Sequence, residues 1–138
     1  MNSRIFKTVN DLELIVKNRK SAIIFETKQN QTNKDYRFLF QFTSEDFKEL
    51  LEYIEIIAKK SWLNLTPKEA NSMGADYFEY YDKKLENNGC LIIKPNILII
   101  ERPSLESNKL YQFNKRKIES FIYDFRKLLL IMWWIKHF

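Results

Sequence analysis

Glycine is almost missing from this chain: Gly74 and Gly89 are the only two in 138 residues. Nucleotide-binding loops of the G-x-G-x-x-G and P-loop kinds need several glycines, because only a residue without Cβ lets the backbone close on a phosphate. Dinucleotide-binding and P-loop folds are therefore excluded. The length suffices for one core, burying roughly two-thirds of the unfolded surface. With 45% hydrophobic and 30% charged residues the chain is globular rather than disordered.

The inventory of reactive side chains is equally short. Cys90 is the single cysteine and His137 the single histidine. No internal disulfide or thiolate cluster is expected, and a zinc site lacks ligands. A hydrolytic triad would have to use His137. The sequence thus predicts no bound metal or organic cofactor and no enzymatic activity. Residues 1–7 lack an apolar signal core. The longest apolar run, Leu128 to Ile135, is far short of the roughly 20 residues that span a bilayer. A cytoplasmic location without a membrane span is expected.

Periodicity outlines the elements. Ile5, Val9, Leu12, Ile15 and Val16 have mostly helical spacing, with Thr8 and Asp11 as a loose capping box, so residues 5–16 read as a helix. A strand with Leu12, Leu14 and Val16 on one face competes with that reading. Residues 21–28 are short and β-branched, and Tyr36, Phe38, Phe40 and Phe42 alternate, which predicts an antiparallel hairpin of two strands. Thr43 and Ser44 cap a helix whose stripe is Phe47, Leu50, Leu51, Ile54, Ile57 and Ala58. Thr66-Pro67-Lys68-Glu69 reads as a helix start, and residues 76–86 as a helix burying Phe78, Tyr81 and Leu85. Lys94-Pro95-Asn96 splits residues 90–102 into two strands buried on both faces. A loop follows over residues 103–109. From the N-cap Asn114 a long helix carries Ile118, Phe121, Ile122, Phe125, Leu128, Leu129 and Met132. The expectation is a single α+β domain over residues 1–138, ordered α-β-β-α-α-β-β-α, with a mostly antiparallel sheet, helices packed on it and no internal repeat.

Charge is uneven. The net charge is +5, with basic first and last thirds around an acidic middle. Four candidate surfaces follow. Tyr77 and Tyr80 should flank the buried stripe of the acidic helix, with Glu79 and Asp82 steering a basic protein partner toward them. Lys17, Arg19 and Lys20 near the start, and Lys115, Arg116 and Lys117 near the end, would make a phosphate-binding face if they converge. Glu26-Thr27-Lys28 resembles the E-x-K pattern of metal-dependent nucleases; Asp11 or Glu13 could supply the second carboxylate such chemistry requires, but both read as lying on the helix before the strand, and no aspartate is expected on an adjacent strand. Trp133 and Trp134 end an all-round apolar helix that completes the core, contacts a second copy or touches a membrane surface. The leading expectation is a non-enzymatic interaction protein of immunity or inhibitor type. A nucleic-acid-binding accessory protein is the alternative, and a metal-dependent nuclease the third.

Overall fold

The computed structural model describes residues 2–28, 35–70, 77–82, 87–105 and 108–137. The elements run β1 (Ser3–Lys7), β2 (Glu13–Arg19), β3 (Ala22–Glu26), β4 (Arg37–Gln41), α1 (Ser44–Ser61), β5 (Glu79–Asp82), β6 (Asn87–Lys94), β7 (Ile97–Glu101), β8 (Lys109–Phe113) and α2 (Lys115–His137). The class is α+β, and every strand pairing among the described residues is antiparallel.

Two segments read as helices are strands. Residues 5–16 fold into β1, a tight turn and the start of β2. Asp11 has φ 64°, a left-handed conformation that a right-handed helix cannot pass through. Along β2 burial alternates, with Leu14, Val16 and Asn18 facing in, so the competing strand reading was the right one there. The second case is residues 76–86, where β5 occupies Glu79–Asp82 and pairs with β6. A run of aromatics fits a pleated, half-buried surface better than one helical stripe. Gly89 of β6 permits that sheet: a Cβ there would meet the Glu101 carbonyl oxygen at 2.8 Å. Residues 66–70 carry no regular structure, so the helix start expected at Thr66 is absent there, and its continuation lies outside the described residues. β8 begins at the last residue of the expected loop and covers residues 110–113, to which the periodicity assigns no element.

Both antiparallel strands expected around residues 21–42 exist, but they do not pair with each other. β3 lies between β2 and β8, and β4 lies beside β7. The result is two four-stranded sheets, ordered β1-β2-β3-β8 and β4-β7-β6-β5. The chain therefore does contain a repeat: four strands and a helix, twice, with the fourth strand of each half placed in the other half's sheet. The correspondence extends to detail. Each central hairpin has a two-residue turn, Lys20-Ser21 and Pro95-Asn96, whose second residue has φ 62°. A buried Phe, Phe42 just after β4 and Phe113 at the end of β8, comes directly before each helix cap. The Thr43 hydroxyl accepts from the Asp46 amide at 3.1 Å, and Asn114 Oδ1 accepts from the Lys117 amide at 2.8 Å. Aligning the two caps sets Phe47 against Ile118, Leu50 against Phe121, Leu51 against Ile122 and Ile54 against Phe125, all buried.

One core joins both halves. Phe25, Phe113 and Phe121 meet edge-on or tilted at centroid distances of 5.1–6.3 Å, and Phe47 touches Phe125 at 4.5 Å. The exchanged strands bury Phe40, Phe42, Tyr111 and Phe113 in this cluster, so neither half has a complete core without the other. α1 and α2 pack on one another and are tied by Arg126 Nε donating to Glu55 Oε1 at 2.8 Å.

Candidate functional site

The basic residues of the two chain ends come together at one end of the first sheet. Ile23 of β3 opposes Phe113 of β8, so the first turn of α2 lies beside the Lys20-Ser21 turn. Arg19 pairs with Ala22 on the neighbouring strand. Strands in a sheet are about 5 Å apart, so Arg19 and Lys20 lie within roughly two strand spacings of Lys115 and Arg116. A third element adds to them. Asn18 Nδ2 donates to Ser61 Oγ at 3.2 Å, which brings the end of α1, with exposed Lys59 and Lys60, to the same place.

An acid beside this group is drawn inward. Glu119 is buried, and its Oε2 accepts from the Thr66 amide at 2.7 Å while Lys115 Nζ lies at 3.7 Å. Arg19, Lys20 and Arg116 are exposed, and Lys115 is partly so. Lys17 and Lys117 do not join them as binding groups. Lys17 lies on the sheet's outer face, 2.8 Å from Glu26, and Lys117 Nζ donates to the Glu79 carbonyl oxygen at 2.6 Å. Periodicity gives no sign that Lys59 and Lys60 belong with the basic residues of the chain ends; only the packing of α1 across β2 brings them near.

The E-x-K pair is part of a charge ladder. Glu26 is held by Lys17, and Lys28 Nζ lies 2.8 Å from Glu13 Oε2. Glu13 is a carboxylate on the adjacent strand β2, on the same face as Glu26, which corrects the expectation that no acid lies there; it is paired with Lys28, and among the described residues no cluster of three or more metal-ligating side chains forms. Cys90 is half-buried on β6, and burial together with the neighbouring Glu101 carboxylate pushes its thiol up.

The tyrosine surface is not where the sequence placed it. Tyr77 is 6% exposed, and its hydroxyl donates to Asp124 Oδ2 at 2.6 Å. Burial first, then that carboxylate, push its ionisation above the ordinary tyrosine range. The Tyr111 hydroxyl donates to the Tyr77 carbonyl oxygen. Asp82 is 4% exposed and pairs with Lys109 at 3.1 Å. Tyr77 and Asp82 are therefore internal tethers between β5, β8 and α2. Phe78 and Tyr81, expected in the buried stripe, are exposed instead: Phe78 sits in a bend before β5, and Tyr81 faces away from its buried neighbour Asp82 on the strand. Glu79 is exposed. The expectations for the Tyr80 side chain and for Leu85 lie outside the described residues.

The far end of α2 is the other notable surface. Leu128, Leu129 and Met132 pack partly against the core, but Leu130, Ile131, Trp133, Trp134 and Ile135 are exposed. The expected core-completing role stops at Met132. Between this end and the first turns of α1 lies a cleft of about 530 Å³. No helix among the described residues is long and apolar enough to cross a membrane. Comparison with protein-family models, with curated proteins and with solved structures gave no match.

Proposed function

We propose that this chain is a non-enzymatic binding protein whose basic end takes the phosphate backbone of a nucleic acid. The observation that supports it is the convergence of Arg19, Lys20, Lys59, Lys60, Lys115 and Arg116 from three separate elements, with the local acid, Glu119, engaged inward. Backbone contacts of this kind carry affinity without reading sequence, and their strength falls steeply with salt. Contacts of this kind predict sequence-tolerant binding.

The test is titration of fluorescent single- and double-stranded oligonucleotides across a range of salt concentrations. The reading predicts non-specific dissociation constants of about 10⁻⁴–10⁻⁶ M near physiological salt, tightening as salt falls. Reversing both turn charges, Arg19→Glu with Lys20→Glu, should weaken binding about tenfold or more and flatten the salt slope by about two. Unchanged affinity in that variant, with its thermal unfolding intact, contradicts the proposal.

A second reading, an interaction protein of inhibitor or immunity type, is favoured by the exposed apolar end of α2. Large contiguous apolar surfaces on soluble proteins mark contacts with other molecules.

A further inference from the structure

We infer that the cleft between the start of α1 and the end of α2 is a docking groove for an extended, apolar segment of a partner protein that carries an acidic side chain. This goes beyond the nucleic-acid reading and rests on the repeat. The two halves build the same corner, and in one of them the corner is filled by the chain itself.

In the filled corner, α1 ends at Ser61 and the chain turns extended at Trp62, with φ −138° and ψ 128°. Trp62 and Leu65 pack partly against the core. The segment then meets the second turn of α2, where the Thr66 amide donates to Glu119 Oε2 at 2.7 Å. Five residues thus cross from the end of one helix to the start of the other, held by two apolar anchors three residues apart and one polar contact.

Aligning the caps Thr43 and Asn114 identifies the partner corner. Lys115 corresponds to Ser44, Glu119 to Lys48, Ser61 to Met132 and Trp62 to Trp133. Ser44, Lys48, Leu129, Met132, Trp133 and Lys136 all line the cleft. α2 does not turn extended at Trp133 but continues as helix to His137. No described residue folds back to do here what Trp62 and Leu65 do opposite, and the apolar floor is left uncovered. Trp133 is 53% exposed and Ile135 75% exposed as a result.

The occupant's chemistry follows from what differs. Its two apolar side chains occupy the places of Trp62 and Leu65. The carboxylate of Glu119, which received an amide in the filled corner, is replaced by the ammonium of Lys48, which donates. Lys136 adds a second cation on the rim against one acid, Glu45. The group that follows the second apolar anchor is therefore an acidic side chain. Charge complementarity at such a rim selects partners more than it adds affinity.

The probe is an acetylated, amidated peptide Trp-Leu-Asn-Leu-Glu, copied from residues 62–65 with glutamate in the next place, compared with Trp-Leu-Asn-Leu-Lys. Titration into ¹⁵N-labelled protein should shift the amides of Ser44, Lys48 and Met132 and the Trp133 indole saturably. The glutamate peptide should bind about threefold tighter, the scale of one exposed ion pair. Lys48→Glu, at an exposed position, should reverse that preference. Met132→Glu should abolish binding to both peptides, while oligonucleotide affinity at the basic end stays unchanged in both variants. Four results overturn the inference: no saturable shift, shifts confined to other surfaces, a preference untouched by Lys48→Glu, or the same signals moving with protein concentration alone. The last would assign the cleft to a second copy of the chain.

Discussion

The starts of the two helices have the same geometry and opposite electrostatics. Each follows a buried phenylalanine at or just after the end of an exchanged strand, and each is capped by a side-chain oxygen accepting an amide three residues on. α1 then places Glu45 and Asp46 in its first turn, where the helix dipole favours negative charge. α2 places Lys115, Arg116 and Lys117 there and has no acid in that turn. Each such charge is unfavourable by about 0.3–1 kcal/mol at an exposed helix start. A sequence selected for stability alone would repeat the acidic pattern of α1. Part of that cost is offset, since Lys117 Nζ donates to the Glu79 carbonyl oxygen and Lys115 Nζ lies 3.7 Å from Glu119 Oε2, and departure from a local rule is expected where a surface has a task.

What stabilises α2 despite its start is its buried stripe and its tethers. Phe121 touches Phe25, Tyr77, Phe113 and Phe125. Phe121→Ala should lower stability by about 3–5 kcal/mol, the largest effect of any single change considered, measured by urea unfolding. Leu50→Ala, at the matching position of α1, should cost about 2–5 kcal/mol. If Phe121→Ala proves nearly neutral, α2 is not held as described and the comparison of the two helices loses its basis.

The Tyr77–Asp124 hydrogen bond ties the middle of α2, where the matching position of α1 is Tyr53, and it gives a pH signature. Tyr77 is held above its unfolded ionisation, near 10, so its contribution is fully present below that pH. Above it the unfolded state loses its proton while the folded state keeps its own, and stability falls as pH rises. Tyr77→Phe should reduce stability at neutral pH by about 1–2 kcal/mol and make the decline above pH 10 shallower. An equally steep decline in the variant would show that other groups cause it.

The caps sharpen the contrast further. Asn114→Ala and Thr43→Ala should each cost about 1 kcal/mol in thermal unfolding. Added salt should act on the two starts in opposite directions, stabilising that of α2 and destabilising that of α1. Added salt relieves repulsion among the three cations of α2, and at α1 it screens an attraction.

The contrast also explains what was legible beforehand. Both helices, both caps, the split of residues 90–102 and the buried stripes follow from local periodicity, because helix faces and cap chemistry are written within one or two turns. β1 and β5 were not legible as strands. Ile5, Val9 and Leu12 mimic a helical stripe, and the decisive left-handed residue, Asp11, shows only as a dihedral angle. The repeat was hidden because it lies in strand order and turn geometry; Phe40-Gln41-Phe42-Thr43 and Tyr111-Gln112-Phe113-Asn114 are its one plain trace. The exchange of fourth strands is a long-range pairing that no window of residues contains. The same holds for the basic end. Its residues were visible, but their meeting depends on β3 pairing with β8. The tyrosine surface failed for the converse reason: a wrong period inverted which faces are buried.

The central claim is that the basic end is a binding surface for nucleic-acid phosphates, and Arg116→Glu, at an exposed position in the first turn of α2, tests it with oligonucleotide titration and thermal unfolding on one protein. The account predicts weaker oligonucleotide binding and a shallower salt slope with the cooperative unfolding transition retained. A folded variant that binds the oligonucleotide as tightly as before, with the same salt slope, would contradict the account.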